Sequence, residues 1–189
     1  MDLFEYVAVL TSIIIGLGIT HLLKGVARLV QHPGRQRVYW VHLTWVTYMF
    51  FMSVFWWWWE FLLVDIETWT FGLYLFVIAY AVNIYLLCAL LFPSDLEGYD
   101  GYEAYFFSRR QWFFGLATLS YVVDFADSAV KGTDHLMGLG LEYLIATTLQ
   151  AVLLVVAGVT ESRAFHGSFA LGMLVYQLSW ALRSFGVMQ

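Results

Sequence analysis

The sequence predicts an all-α integral membrane protein, a polytopic bundle of about six transmembrane helices with both termini outside. Three observations carry that reading. Six long apolar stretches, beginning near Phe4, Val38, Thr70, Phe107, Leu136 and Ala164, fill almost the whole chain of 189 residues. Each reaches the roughly 20 residues that a helix needs to cross a hydrocarbon core about 30 Å thick. Composition agrees: 61% of residues are hydrophobic, only 12% are charged, and mean hydropathy is +0.73. The basic residues then fall on alternate connections. Lys24, Arg28, Arg35 and Arg37 surround the first, Arg109 and Arg110 close the third, and Arg163 sits in the fifth. Only Lys131 and Arg183 fall on the other side. The positive-inside bias therefore places connections one, three and five in the cytoplasm.

The spans leave no room for a soluble catalytic domain. The longest connection, Pro93 to Tyr105, is too short to build a core, so residues 1–189 read as a single transmembrane domain. No cleavable signal peptide is expected, because Asp2 and Glu5 stand where a basic leader segment belongs. The net charge of −5 provides no basic patch for nucleic acid. Cys88 is the single cysteine, so no intramolecular disulfide and no cysteine metal motif is possible. A thiol inside an apolar span reads as packing.

The first span is expected from Tyr6 to Val30. Gly16, Gly18 and Gly25 offer a neighbouring helix close approach. His21, Lys24 and Arg28 share one face. Snorkelling of the two cations to the cytoplasmic interface is the ordinary reading; a pocket for a lipid phosphate or another anion is the competing one. The second span runs from Val38 to Val64 and lays His42, Met49, Ser53, Trp56 and Glu60 along one face. Trp56-Trp57-Trp58-Trp59 reads as an interfacial aromatic belt, since consecutive residues point around the helix and some indoles must face lipid.

The third span, Phe71 to Phe92, carries one strongly polar residue, Asn83, with Tyr80 near it on the same face, and stops at Pro93. A lone amide in hydrocarbon is expected to bond a neighbouring helix. The fourth, Phe107 to Lys131, lines up Ser120, Asp124, Asp127 and Lys131, of which Asp127 and Lys131 are spaced to pair. The fifth, Leu136 to Val159, carries Glu142 and Gln150. The sixth, Ala164 to Gly186, carries Gln177, Arg183 and a small-residue pair, Ser168 and Gly172.

At common depth these residues form three layers. The outer one holds Glu60, Asp124, Asp127, Glu142 and Arg183; the middle one Asn83, Gln150 and Gln177; the inner one His21, His42 and Lys24. Ionisable groups at depth cost roughly 2.5–3.5 kcal/mol each on insertion scales, so they are expected to face the bundle and find partners. Arg183 is expected to pair with Glu142 or Asp124. Surplus outer carboxylates alternatively make a cation or proton site, because crowded carboxylates resist ionising together. His21 and His42 are spaced to approach one haem, or with His166 one metal ion, although packing is the expected role. No metal site and no cofactor is assigned. Asp124-Phe-Ala-Asp127 carries an Asp-x-x-Asp spacing, too short a match to bring any activity with it, and the common hydrolase and phosphate-binding motifs are absent.

The texture resembles short inner-membrane proteins of bacteria, which implies a multi-pass protein of that membrane and no activity. The first functional expectation is a non-enzymatic accessory subunit of a larger, respiratory or photosynthetic, membrane assembly. It is motivated by the missing catalytic motifs and an aromatic content of 20% suited to packing on lipid, pigment or partner helices. Its partners are then the bilayer and other subunits, or further copies of the chain. The alternatives are a cation or proton conduit through the outer acidic layer, and a small lipid- or quinone-binding protein using His21, Lys24 and Arg28.

Overall fold

A computed structural model describes residues 3–66, 68–130 and 138–184. Among them the chain is all-α, with six helices and no strand. Helix α1 spans Leu3–Gln31, α2 Trp40–Glu60, α3 Phe71–Leu91, α4 Tyr102–Val130, α5 Gly140–Val159 and α6 Arg163–Ser184. Three of them, α1, α3 and α5, are long and apolar enough to cross a membrane, with mean hydropathies of 2.0, 2.2 and 1.8. The chain is a membrane protein. Helices α2, α4 and α6 are less apolar because they carry eight of the nine tryptophans and most of the helical hydroxyl and charged residues, of which Trp45, Ser53, Trp56, Glu60, Ser120, Asp127 and Ser128 are buried.

Each boundary has a local cause. Helix α1 has Glu5 in its first turn and Arg28 in its last, each complementing the helix dipole. It stops at Pro33-Gly34, where Gly34 takes the left-handed conformation (φ +82°). Helix α2 tightens after Glu60 into a 3-10 turn over Phe61–Asp65, ending the regular helix before the expected Val64. Helix α3 is capped by Thr70, whose Oγ1 accepts from the Leu73 amide at 3.1 Å. Helix α4 begins five residues before the expected Phe107. Gly101, at φ +91°, turns the chain against Arg37, and the Tyr102 amide donates to the Arg37 carbonyl at 3.0 Å. Tyr102, Tyr105 and Phe106 are then buried by the first turn of α4. The expected first residues of the fifth span, from Leu136, lie outside the described residues; α5 starts at Gly140.

The helices pack most closely as α1 on α3, α4 on α5 and α2 on α6, with α3 also against α4 and α2. Helices α5 and α6 touch little. The core is aromatic: Trp45, 1% exposed, meets Tyr48, Phe113, Phe114 and Phe169 edge-on, with ring centroids 5.2–5.7 Å apart. Helix α1 approaches α3 through Gly18 and Gly25. A Cβ on Gly18 would sit 3.4 Å from the Cys88 sulfur, and one on Gly25 would overlap the Phe92 ring. Gly16, expected to act with them, has no neighbour within 4 Å of such a Cβ. The Ser168–Gly172 pair is likewise exposed. The close approach of α6 to α2 is made by Gly167, whose Cβ would lie 2.9 Å from the Trp40 ring.

Candidate functional site: an aromatic cavity holding Asp124

The divergence of α5 from α6 opens a cavity of about 150 Å³ between α2, α3, α4, α5 and α6. Among the described residues its lining is mostly aromatic, and Asp124 is the one charged side chain in it. Tyr143 of α5 donates to Asp124 Oδ2 at 2.7 Å, and Tyr80 of α3 donates to Oδ1 at 3.4 Å. Ser128 and Tyr143 hydroxyls are 3.1 Å apart, which fixes the Tyr143 phenol from behind. The Tyr48 and Tyr121 hydroxyls meet at 3.0 Å on the neighbouring wall. Tyr80 also lies within electrostatic reach of Asp127 and Glu60. Both of those are buried, Asp127 completely. Three of the five outer-layer residues therefore gather around one phenol.

The other two do not. Arg183 makes a two-pronged pair with Glu142, at 3.0 and 2.7 Å, with both side chains about half exposed. It also lies over the Trp180 ring, 5.7 Å from its centroid. This pair clamps the first turn of α5 to the last turn of α6 beside the cavity. The expected partner of Asp127, Lys131, lies outside the described residues.

The middle layer divides in the same way. Asn83 is buried and donates to Ser120 Oγ at 2.7 Å and to the Leu116 carbonyl at 3.2 Å, so it joins α3 to α4. Gln177, with its amide nitrogen toward the Tyr48 carbonyl (3.3 Å) and its oxygen toward the Met52 amide (3.2 Å), grips one turn of α2 from α6. Gln150 instead lines the cavity, and its amide makes no hydrogen bond among the described residues.

The inner layer has a structural task. Helix α3 stops at Leu91, and carbonyls of its last turn and of the Phe92–Ser94 segment that follows take partners from outside the helix. Tyr105 donates to Leu90 O at 2.7 Å, His42 Nε2 to Leu91 O, His21 Nε2 to Phe92 O at 2.7 Å, and Arg28 to Ser94 O at 3.4 Å. Each imidazole so engaged offers a carbonyl the nitrogen that haem ligation requires. His166 is elsewhere: its Nε2 meets the Thr160 carbonyl at 3.1 Å and its ring stacks on Phe114. Among the described residues no group of three or more His, Cys, Asp or Glu side chains converges where a metal ion fits. Lys24 is exposed. Of the expected anion pocket only Arg28 lines a cavity, an open groove of about 460 Å³ shared with Arg35, His32, Asp95 and Glu97. Its mixed charge is not that of an anion site.

The end of the bundle that carries most arginines is tied by ion pairs: Arg37–Asp100 at 2.8 Å, Arg110–Glu161 at 2.7 Å and Arg163–Glu103 at 2.6 Å. Asp100 of the third connection and Glu103 in the first turn of α4 thus supply two of these partners.

Sequence reasoning found Asp124 and Gln150 but missed the walls that make them a site: Tyr48, Tyr121, Tyr143, Tyr176 and Trp180. A signal was present. Tyr121 precedes Asp124 by three residues, and Tyr143 precedes Gln150 by seven, so each shares a helix face with the polar group it flanks. No family model matches the chain, and neither a curated protein nor a solved structure matches it.

Proposed function

We propose that this chain is a six-span, non-enzymatic protein of a bacterial inner membrane that binds a small amphiphilic molecule in the aromatic cavity. Helices α2, α4 and α6 are 21, 29 and 22 residues long. At 1.5 Å per residue each spans at least about 30 Å, the thickness of the hydrocarbon core. The alternating basic connections support both termini outside.

The cavity carries the binding reading. It combines an apolar aromatic wall with a few placed polar groups, the usual make-up of a small-molecule site. An apolar void of about 150 Å³ accommodates a molecule the size of benzene. The loose contact between α5 and α6 gives a tail a way out to the lipid. A conduit is less well supported, because among the described residues the polar groups do not continue across the bundle. Beyond Ser120 and Asn83 the interior is filled by Trp45, Phe113, Phe114 and Phe169. The exposed apolar faces of α1 and α5 are what lipid-facing helices present, so they give no separate support to an accessory-subunit role.

Extraction in mild detergent, followed by organic extraction and mass spectrometry of the purified protein, tests this reading. A bound amphiphile near one per chain, lost from a Thr147→Trp variant that fills the cavity, is the expected result. Equal amounts of the same lipids on wild type and variant would overturn it.

A further inference from the structure

The binding reading leaves the chemistry of the occupant open, and the hydrogen-bond donors of the wall narrow it. We infer that the cavity takes a neutral ring carrying carbonyl oxygens on an apolar tail, a quinone-type head, with Gln150 and Trp56 as its donors. The inference rests on the binding reading and adds three observations to it.

The first is a set of protons that the protein itself does not use. Gln150 of α5 lines the cavity, and its amide makes no hydrogen bond among the described residues. Trp56 of α2 lines it too. That residue is 3% exposed, and its Nε1 is buried with no hydrogen-bond partner among the described residues. The Tyr48 and Tyr121 hydroxyls, in the same wall, meet at 3.0 Å. One of them donates to the other, so the proton of the accepting phenol is left over. A buried donor without an acceptor bears the full cost of its lost hydration. The Tyr143 and Tyr80 phenols differ, since both already donate to Asp124.

The second is what such protons ask for. An indole N–H donates and accepts nothing. Its partner must be an acceptor, and an ammonium head offers none. A carbonyl oxygen meets the need without bringing a charge. Taking a charged head into an apolar wall costs far more than taking in a carbonyl that finds a donor. Gln150 and Trp56 stand on α5 and α2, which are not among the closely packed helix pairs. A ring with carbonyls on opposite edges presents one acceptor to each helix.

The third is shape. Trp56 meets Tyr80 edge-on at 5.5 Å, and Tyr176 and Trp180 of α6 stack at 6.2 Å. A flat ring packs on such walls by offset stacking or by its edges. A cavity of about 150 Å³ suits a head of one ring. The loose contact between α5 and α6 leaves a single tail its exit into lipid. A glycerolipid carries its carbonyls at the root of two chains and has no ring to fill the aromatic space.

The test uses the full chain in nanodiscs, with empty nanodiscs of the same lipid as the blank for partitioning. Decylbenzoquinone is titrated against decylbenzene, the same ring and tail without the carbonyls. Bound ligand is measured by equilibrium dialysis and mass spectrometry. Saturable binding of the quinone at about one per chain, roughly tenfold or more tighter than the hydrocarbon, is expected. Gln150→Leu, which removes the amide, is expected to weaken the quinone about three- to tenfold and leave decylbenzene unchanged. Trp56→Phe, which keeps a ring and removes the N–H, is expected to do the same. It keeps the inference testable if Gln150→Leu does not fold. Equal affinity for quinone and hydrocarbon, or an unchanged quinone affinity in both variants, would overturn the inference and leave the cavity reading standing. So would displacement of the quinone by equimolar dodecyltrimethylammonium, or a bound glycerolipid that the quinone does not displace. Failure of both ligands to bind, with no effect of Thr147→Trp, would remove both.

Discussion

The polar residues inside the bundle fall into two kinds, and the difference is visible in their partners. Asn83 and Gln177 close hydrogen bonds between helices, while Asp124 and Gln150 face a cavity. The first kind is glue, and its energetics are modest. Interhelical hydrogen bonds in membranes average about 0.6 kcal/mol, because the separated helices also find partners. Asn83→Leu is therefore expected to lower stability by roughly 0.5–1.5 kcal/mol, read by thermal unfolding in detergent. The lower end is favoured, since Ser120 keeps its own bond to the Leu116 carbonyl at 3.3 Å and neither group is orphaned. A loss well above 2 kcal/mol would show that Asn83 holds more than this pair. Asn83's role was legible in the sequence, because a lone amide in an apolar helix has few alternatives. The histidines were not: an imidazole at the end of one helix gives no sign that a carbonyl on another, freed by Pro93, is its partner.

Helices were the most legible level. The apolar runs located all six within a few residues, and the face of α2 holding His42, Met49, Ser53, Trp56 and Glu60 is buried as its periodicity requires. What the periodicity did not contain was the choice of neighbour. Glycine shows this most directly. Gly16, Gly18 and Gly25 look equivalent along α1, yet only Gly18 and Gly25 face α3. Phe92 is fully buried and its carbonyl is held by His21, so its ring cannot swing away from a methyl at position 25. Gly25→Ala is expected to destabilise the protein by about 1–3 kcal/mol, the usual cost of overpacking a filled interior. Gly16→Ala meets nothing and is expected to be neutral or slightly stabilising through helix propensity. Parallel thermal unfolding of the two variants decides the matter. Equal effects would mean that the α1–α3 seam is not where these contacts put it.

At the scale of the molecule, the number of helices that cross the bilayer decides what surrounds the cavity. Hydropathy alone admits α1, α3 and α5. It understates α2, whose Trp56-Trp57-Trp58-Trp59 run is amphipathic rather than hydrophilic, with Trp56 buried and Trp57 and Trp58 exposed. It also understates α4 and α6, whose charges are drawn inward or paired with neighbours. The proposed six spans agree with the packing of α2, which lies against α1, α3, α4 and α6. Single-cysteine labelling separates the two topologies. Native Cys88 is fully buried, so it stays silent toward an impermeant maleimide and need not be removed. Cysteines placed at Gln36, Thr68, Glu97, Gly138 and Glu161 sample the five connections in turn. Six spans with both termini outside expose positions 68 and 138 on intact spheroplasts, and positions 36, 97 and 161 only after permeabilisation. Three spans would instead pair 36 with 68 and 97 with 138. Asp124 would then sit in a helix on the membrane surface rather than among lipid tails. The aromatic cavity would lose the lipid surroundings into which the tail of a bound amphiphile is proposed to leave. Labelling of 68 and 138 on the same outer side, with 97 protected, is therefore the expected pattern, and on it both the topology and the chemistry of the site depend.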